Sequence, residues 1–325
     1  MGLMSLVEGR LTLPAIAAPM FLVSGPDLVI AQCRAGVVGS FPSLNARPLE
    51  VLDEWLVRIG EALRAHDAAH PEKPAAPFAV NLIVHRSNAR LDDDLALVVK
   101  HRVPLVITSL GAREDVNAAI HAYGGIVLHD VIHTTFARKA IEKGADGLIA
   151  VSAGAGGHAG AWSPFALIEE IRAWWDGPLA LSGAIATGRG VLAARAAGAD
   201  FAYIGSAFIA TQEAQAPQAY KDMIVAGGAA DIIYTDVFTG VAGNYLKPSL
   251  TAAGIDPDKL SQVTPQALDL ALSKDGPRPW RDIWGAGQGI GAIREIPTVA
   301  GLVARLKQEY DAQRERLCGA PGAGE

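Results

Sequence analysis

Residues 147–160 read Gly-Leu-Ile-Ala-Val-Ser-Ala-Gly-Ala-Gly-Gly-His-Ala-Gly and carry the two signals that decide the fold. The first half is a short apolar run, which is typical of a buried β-strand. The second half is a loop with almost no side-chain bulk, so its backbone can approach a flat ligand closely. Its one imidazole, His158, is of a residue type that titrates near neutral pH. Taken alone, the loop is equally compatible with a glycine-rich turn that carries an incidental surface histidine.

The same order, an apolar strand followed by a helix-like segment, occurs eight times along the chain. The predicted strands are Ala15–Ala18, Val37–Ser40, Phe78–Ile83, Leu105–Thr108, Gly125–Leu128, Gly147–Val151, Leu179–Ser182 and Phe201–Ile204. Strands that are apolar throughout indicate a parallel sheet covered by helices. Eight units are the number that closes a (β/α)8 TIM barrel, and this is the α/β fold that we predict. A doubly wound open sheet is the alternative.

Composition divides the chain into four segments. Residues 1–230 contain the eight units and are predicted to form the barrel. Residues 231–295 do not continue the alternation of strand and helix and contain many glycines and prolines, which predicts an insertion or a small lid subdomain. A helix that closes the barrel is predicted for residues 296–318, and a disordered tail is predicted for residues 319–325.

Charge and composition narrow the classes of partner. The 325 residues carry a formal net charge of −6, whereas binding to nucleic acid needs a basic surface, so no nucleic acid partner is expected. No apolar stretch is long enough to span a bilayer, and the amino terminus lacks the order of a signal peptide. We therefore expect a cytoplasmic protein without a membrane partner. The two cysteines lack metal-ligand spacing, and no metal site is predicted.

In a barrel of this type, function lies at the carboxyl ends of the strands. The residues at those ends include Pro19, Met20, Asn81, Ser109, His129, Asp130, His158, Ser182, Gly183, Ala184, Gly205 and Ser206. Two turns, Ser182-Gly183-Ala184 and Gly205-Ser206-Ala207, follow the seventh and eighth strands. Their backbone N–H groups and serine hydroxyls can hold a phosphate without a cationic side chain. Plain strand-to-helix turns are the alternative explanation.

In order along the chain, these motifs resemble those of the nitronate monooxygenase (2-nitropropane dioxygenase-like) family. The resemblance rests on Ala18-Pro19-Met20, Asn81, Gly156-Gly157-His158-Ala159-Gly160, Ser182-Gly183-Ala184-Ile185 with Gly188-Arg189-Gly190, Gly205–Thr211 and Ala286-Gly287-Gln288-Gly289. It covers nearly the whole chain. As an ordered set the motifs are specific for the family, and they are much less specific for the substrate.

The resemblance implies that the barrel binds FMN. It places the FMN phosphate on Gly183, Ala184, Gly205 and Ser206, the isoalloxazine ring against Pro19, Met20 and Asn81, and the backbone of Gly156 and Gly157 beside that ring. From the residues themselves we add three further contacts. These are the Ser182 hydroxyl, His129 at the end of the fifth strand, and Gln288, which a tight turn would direct towards the pocket.

The activity implied by the resemblance is oxidation of alkyl nitronates by molecular oxygen, which yields a carbonyl product and nitrite. His158 is the catalytic candidate, because it could deprotonate a neutral nitroalkane or, when protonated, stabilise the bound nitronate. The expected partners are the small-molecule nitronate and oxygen, and a homodimer is a further expectation. One alternative is an NAD(P)H-dependent flavin reductase acting on enoyl thioesters or quinones. Another is a protein that binds a flavin or a phosphate ligand without turnover.

The sequence departs from the family pattern at four places. Ala184 stands where a second glycine is usual, Ser206 stands where a threonine is frequent, and the segment Val241–Lys247 lacks an arginine that is often present. Members of the family commonly carry a lysine or another non-acidic polar residue near Asp130. An ionised carboxylate beside a reduced flavin is unfavourable, so we expect that His129 makes the contact or that Asp130 points away.

Overall fold

The computed structural model of the chain describes residues 2–262 and 277–319. The strands are β1 (Ala15–Ala17), β2 (Gly39–Pro42), β3 (Phe78–Ile83), β4 (Leu105–Ser109), β5 (Ile126–Val131), β6 (Gly147–Val151), β7 (Gly157–His158), β8 (Leu179–Ser182), β9 (Phe201–Ile204), β10 (Ile232–Thr235) and β11 (Gly243–Leu246). The α-helices are α1 (Leu3–Val7), α2 (Pro26–Arg34), α3 (Leu49–Ala69), α4 (Leu91–Lys100), α5 (Glu114–Ala122), α6 (Thr134–Glu142), α7 (Pro164–Arg172), α8 (Gly188–Ala196), α9 (Ser206–Ile209), α10 (Gln218–Ala226), α11 (Lys247–Ala252) and α12 (Val299–Cys318).

Eight strands form one parallel sheet in the spatial order β1-β9-β8-β6-β5-β4-β3-β2. The two edge strands meet beside each other. The Ala17 N–H donates to the Val38 carbonyl at 2.8 Å, and the Val38 N–H donates to the Ala15 carbonyl at 3.1 Å. These bonds close the sheet, so the predicted (β/α)8 barrel is confirmed and the open-sheet alternative is wrong.

The barrel interior is filled by apolar side chains at alternate strand positions. Ile107, Leu128 and Ile149 belong to one buried interior cluster, whereas the neighbouring Val127 packs in the cluster outside the sheet. At the amino end of the barrel, Leu3 and Val7 of α1 join the interior cluster. Apolar packing therefore fills the barrel up to the layer at the carboxyl ends of the strands.

All eight predicted strands are present, and β5 differs from its prediction in a way that affects the site. It continues to Val131, so His129 and Asp130 lie within the strand and not after it. The backbone of β6 provides the reason, because Asp130 is paired with Ile149 and Val131 with Ala150. Since side chains alternate along a strand, Asp130 lies on the same face as Leu128, which faces the interior.

A second, smaller layer lies over the carboxyl ends of the barrel strands. We call residues 232–262 and 277–292 the cap. In it β10 pairs with β11, and β11 pairs with β7, so the glycine loop of the barrel becomes an edge of the cap sheet. The cap has its own apolar core, which includes Phe238, Tyr245 and Ile283. The cap lies within residues 231–295, the segment predicted to form an insertion or a small lid subdomain.

The helix α12 packs across α8. The Glu309 carboxylate accepts a hydrogen bond from the Gly188 N–H at 2.7 Å, and a Cβ at Gly188 would lie 2.0 Å from the Leu306 carbonyl oxygen. None of the described helices combines the length and the apolarity needed to cross a membrane. Of the predicted tail, residues 320–325 lie outside the described residues.

Candidate active site at the carboxyl ends of the strands

A cavity of about 1010 Å³ lies between the carboxyl ends of the barrel strands and the cap. All but one of the predicted site residues line it: Pro19, Met20, Asn81, His129, Gly156, Gly157, His158, Ser182, Gly183, Ala184, Gly205 and Ser206. The exception is Gln288. These residues come from six of the eight barrel units and converge on one chamber, as expected for the carboxyl ends of parallel strands.

His158 lies at the junction between the barrel and the cap. It is paired with Gly243 of β11, and the Ala159 N–H donates to the Ala242 carbonyl at 3.1 Å. The edge of the His158 ring faces Trp280, with 5.3 Å between the ring centroids. Backbone pairing and aromatic packing hold the imidazole at the cavity wall.

The hydrogen bond between His158 and Thr239 determines which imidazole nitrogen is available. The Nε2 atom lies 2.9 Å from Oγ1 of Thr239, and that hydroxyl donates its own proton to the Val241 carbonyl at 3.0 Å. A hydroxyl has one proton, so the Thr239 oxygen accepts from Nε2–H. The unprotonated nitrogen is then Nδ1. Burial lowers the pKa of His158 to about 4, so the ring is neutral at pH 7.

The glycines of the loop are required by the cap and not only by an approaching ligand. A Cβ at Gly156 would lie 2.7 Å from the Gly287 nitrogen. Gly157 has φ +72°, a conformation that favours glycine. The Asn244 side-chain amide donates to the Ala155 carbonyl at 2.6 Å and fastens the loop from β11. The loop was predicted to lack side-chain bulk so that a ligand can approach its backbone. That prediction is incomplete, because part of the loop surface packs against residues 286–287.

The turns after β8 and β9 lie side by side in the cavity wall. Within the described residues, the N–H groups of Gly183, Gly205 and Ser206 make no backbone hydrogen bond. The Ser206 Oγ accepts from the Gly287 N–H at 2.9 Å and keeps its own proton for another acceptor. Ala184 differs from the prediction, because its N–H already donates to the Gly154 carbonyl at 3.2 Å. The remaining donors still suit an anion such as a phosphate.

Another part of the wall is formed by the segment after β1, which lies beside the turn after β9, and by Asn81. The Met20 backbone is held in place by Asn45, whose amide donates to the Met20 carbonyl at 2.9 Å, and by Ser24, whose Oγ accepts from the Met20 N–H at 3.0 Å. Asn81 lies within β3 and donates to the Ser109 Oγ at 2.7 Å. This wall offers apolar surface and one polar side chain to a ligand.

Of the two alternatives for residues 129 and 130, the one in which Asp130 points away is wrong. Asp130 lines the cavity and does not point away. Its Oδ2 accepts a hydrogen bond from Ser109 at 2.6 Å, and burial raises the pKa of the carboxyl to about 6. His129 also borders the cavity, but its Nδ1 is 2.6 Å from Oγ1 of Thr108 and burial lowers its pKa to about 4. Sequence reasoning set this acid aside because it assumed an ionised carboxylate, which would be unfavourable beside a reduced flavin.

Gln288 does not reach the cavity, although Gly287 and Gly289 on either side of it do. Its N–H donates to the Gly154 carbonyl at 2.9 Å, and its exposed side chain lies beside Gly154. The tight turn was predicted correctly, but it directs the backbone of its glycines towards the cavity and the glutamine side chain elsewhere.

The cap contributes residues that sequence reasoning missed, namely Thr239, Trp280 and Arg278. All three line the cavity. The Nε of Arg278 is buried and has no hydrogen-bond partner among the described residues, so its cationic head is available to an anion. Arg278 brings to the cavity a guanidinium that the segment Val241–Lys247 does not contain. Its position on the other side of residues 263–276 explains why no local motif revealed it.

The chamber suits a flat ring with an anionic tail. Its walls are mainly apolar, and the phosphate-type donors lie together at the ends of β8 and β9. In the part of the chain that the structure describes, no group of three or more His, Cys, Asp or Glu side chains is placed to hold a metal ion.

Comparison with known proteins agrees with this geometry. A family model described as nitronate monooxygenase matches residues 9–309. A nitronate monooxygenase of Paraburkholderia phytofirmans is 26% identical over 94% of this chain and 94% of its own length. A hydroxy-methyl-oxo-octahydroindene-carboxyl-CoA dehydrogenase of Rhodococcus jostii is 24% identical over 92% of this chain and 94% of its own. The solved structure of FabK from Thermotoga maritima superposes with a TM-score of 0.77 at 24% identity, covering 97% of each chain.

The family match extends from before β1 to within α12, so it includes every barrel strand and the cap. Each of the motifs on which the resemblance was based contributes at least one residue to the walls of one cavity, except Gly188-Arg189-Gly190, which forms the first turn of α8. The chain therefore belongs to the nitronate monooxygenase family of oxidoreductases.

Proposed function

We propose that the protein binds FMN and oxidises alkyl nitronates with molecular oxygen, yielding a carbonyl compound and nitrite. The observation that carries the proposal is the combination, in one cavity, of a neutral imidazole, a cluster of free backbone donors and the guanidinium of the half-buried Arg278. A nitronate is a small anion that forms when a nitroalkane loses a proton from carbon. The imidazole would accept the proton of the nitroalkane, the backbone donors would bind the cofactor phosphate, and the guanidinium would bind the anionic substrate.

The residues present fit FMN. The N–H groups of Gly183, Gly205 and Ser206, with the Ser206 hydroxyl, would hold its phosphate, and the Met20 and Asn81 wall would lie against its ring. When bound, the flavin supplies the electron acceptor that no amino-acid side chain provides. The protein positions this group and the substrate in one chamber and shields both from solvent.

His158 would remove the proton from a neutral nitroalkane. Thr239 holds the proton on Nε2, which leaves Nδ1 as the basic nitrogen. Because the pKa of the imidazole is about 4, the ring is unprotonated throughout the neutral range, which is the form that a general base needs. The expectation that a protonated His158 stabilises the nitronate receives less support, because a neutral ring carries no charge for that purpose.

Arg278 would bind the nitro group or the nitronate oxygens. A guanidinium presents several N–H donors in one plane and matches a pair of oxygen atoms. Trp280 lies beside His158 and also stacks on Tyr245, with 5.1 Å between the ring centroids of Trp280 and Tyr245. The cap segment that contains Arg278 and Trp280 therefore both excludes water and places the guanidinium in the cavity.

The test begins with the absorbance spectrum of the purified protein and continues with an anaerobic titration. We expect flavin absorbance that propionate 3-nitronate bleaches and that returns when oxygen is admitted. A colourless protein that takes up no added FMN would contradict the cofactor. Bleaching by NADH or NADPH and not by the nitronate would instead support a reductase, an outcome that the similarity to the Rhodococcus jostii dehydrogenase makes worth testing.

A further inference from the structure

Asp130 is a buried acid in the cavity to which the proposed function gives no task. It lies near the carboxyl end of β5, on the interior face that Leu128 shares, and it lines the cavity. The apolar cluster that contains Ile149 and Leu128 lies beneath it. A carboxylate at such a place is costly unless it is paired, so its retention calls for a functional explanation.

The hydrogen bonds around Asp130 have one direction when its carboxylate is ionised. The Asn81 amide donates to Ser109 Oγ at 2.7 Å, and the Ser109 hydroxyl donates to Asp130 Oδ2 at 2.6 Å. Because an ionised carboxylate can only accept, the Ser109 proton points at Asp130 in that state. This series of hydrogen bonds stabilises the ionised form of Asp130 with a single bond, and it leaves the Oδ1 atom free to carry a proton.

No cation neutralises Asp130 within the residues that the structure describes. Among residues 2–262 and 277–319, no Lys, Arg or His nitrogen forms an ion pair with its carboxylate, whose hydrogen bond comes from Ser109. Burial, and in second place the charge of Asp130, raises the phenol pKa of Tyr203 on β9. The neighbouring His129 is bound to Thr108, and Lys139, Arg278 and His158 line the cavity without a bond to Asp130. Burial outweighs the Ser109 bond and raises the pKa of Asp130 to about 6.

We propose that Asp130 takes up a proton whenever a flavin bound in this cavity is reduced. The inference rests on the proposed function only in requiring that FMN binds. Two electrons and one proton come to the flavin from the donor and the medium, and one further proton passes from solvent to the carboxylate, which becomes a neutral acid. The arriving negative charge cannot share a low-dielectric cavity with an ionised carboxylate, and protonation relieves the repulsion.

The pH dependence of the flavin midpoint potential tests this directly. For a two-electron couple, each proton taken up on reduction contributes about 30 mV per pH unit. We expect the wild-type holoprotein to show about 59 mV per pH unit between pH 7 and pH 8, and Asp130→Asn to show about 30 mV. Asp93→Asn makes the same change on the exposed surface of α4 and should keep the wild-type slope.

A wild-type slope of about 30 mV would overturn the proposal, and so would a steep slope that persists in Asp130→Asn. In either case flavin absorbance and bleaching by the nitronate would leave the proposed function intact. If Asp130→Asn fails to bind FMN, the reduced-minus-oxidised infrared difference spectrum of the wild type decides. A new protonated-carboxyl C=O band that shifts in D₂O supports the inference, and the absence of that band rejects it.

Discussion

His158 and Thr239, which are 81 positions apart in the sequence, are joined by a hydrogen bond of 2.9 Å across the boundary between barrel and cap. The bond does more than attach the cap. Because the Thr239 proton is already donated to Val241, the bond fixes the tautomer of the imidazole that faces the cavity. The chemistry of the barrel loop is thus set by a residue of the cap.

Replacing Thr239 should therefore change the proton transfer more than binding. In Thr239→Val the imidazole keeps its packing but loses the acceptor that holds its tautomer. We expect kcat/KM for a neutral nitroalkane to fall about tenfold, which corresponds to about 1.4 kcal/mol, the scale of one hydrogen bond. With a preformed nitronate the change should stay within about twofold. Thr251→Val, on the exposed part of α11, is the matched control. Equal losses with both substrates would rule out this role of Thr239.

The low pKa of His158 can be observed without turnover. Burial disfavours the charged ring, so in the FMN-free protein the imidazole should remain neutral from pH 8 down to about pH 5 and gain its proton near pH 4. The measurement is an NMR titration of the ring Hε1 resonance, assigned by its disappearance in His158→Ala. A midpoint near the ordinary value of 6.5 would show that the ring is not desolvated as described.

Arg278 should matter for anionic substrates in particular. Arg278→Gln keeps a hydrogen-bond donor and removes the charge, so we expect KM for a nitronate to rise by roughly 10- to 100-fold, as for a lost charge-assisted hydrogen bond. Steady-state oxygen consumption measures this, and KM for a neutral nitroalkane should change much less. Arg281→Gln, three positions on and exposed, serves as control. A similar rise for both substrates would assign Arg278 to cap structure.

Asp130 should make the folded protein less stable above pH 6. Its pKa is raised from 3.8 to about 6 on folding, so the folded state binds the proton more tightly than the unfolded chain does. The resulting decrease in the free energy of unfolding is present in full above pH 6 and disappears as the pH falls through 3.8. It amounts to about 3 kcal/mol. Asp130→Asn should therefore stabilise the FMN-free protein at pH 8, and by about half as much at pH 5.

Chemical denaturation at the two pH values measures the effect on the free energy of unfolding. Asp93→Asn should show no comparable dependence on pH. A stabilisation by Asp130→Asn that is the same at pH 5 and pH 8 would mean that the carboxyl has its ordinary pKa in the folded state.

The barrel could be predicted because a parallel strand covered on both faces must be apolar at nearly every position. Gly147–Val151 and Phe201–Ile204 meet that condition, and their predicted bounds match the structure. The end of β5 does not meet it. His129 and Asp130 look like loop residues, yet backbone pairing with β6 keeps them in the strand and turns the acid inwards.

The cap side of the site could not be predicted in the same way. Thr239 and Trp280 reach the cavity because β11 pairs with β7 and because Trp280 stacks on Tyr245. These contacts join segments that lie far apart in sequence, and no periodicity within either segment encodes them. The residues of the glycine loop were recognisable, whereas the partners that orient His158 required the three-dimensional structure.

The central claim is that a neutral His158 accepts the proton of the substrate, and the most direct measurement compares two substrates in His158→Ala. Oxygen consumption should be measured with a neutral nitroalkane and with its preformed nitronate, using protein whose flavin content is unchanged. We expect kcat/KM to fall about 10²- to 10⁴-fold for the nitroalkane and much less for the nitronate, which needs no base. Equal losses with the two substrates would contradict the account.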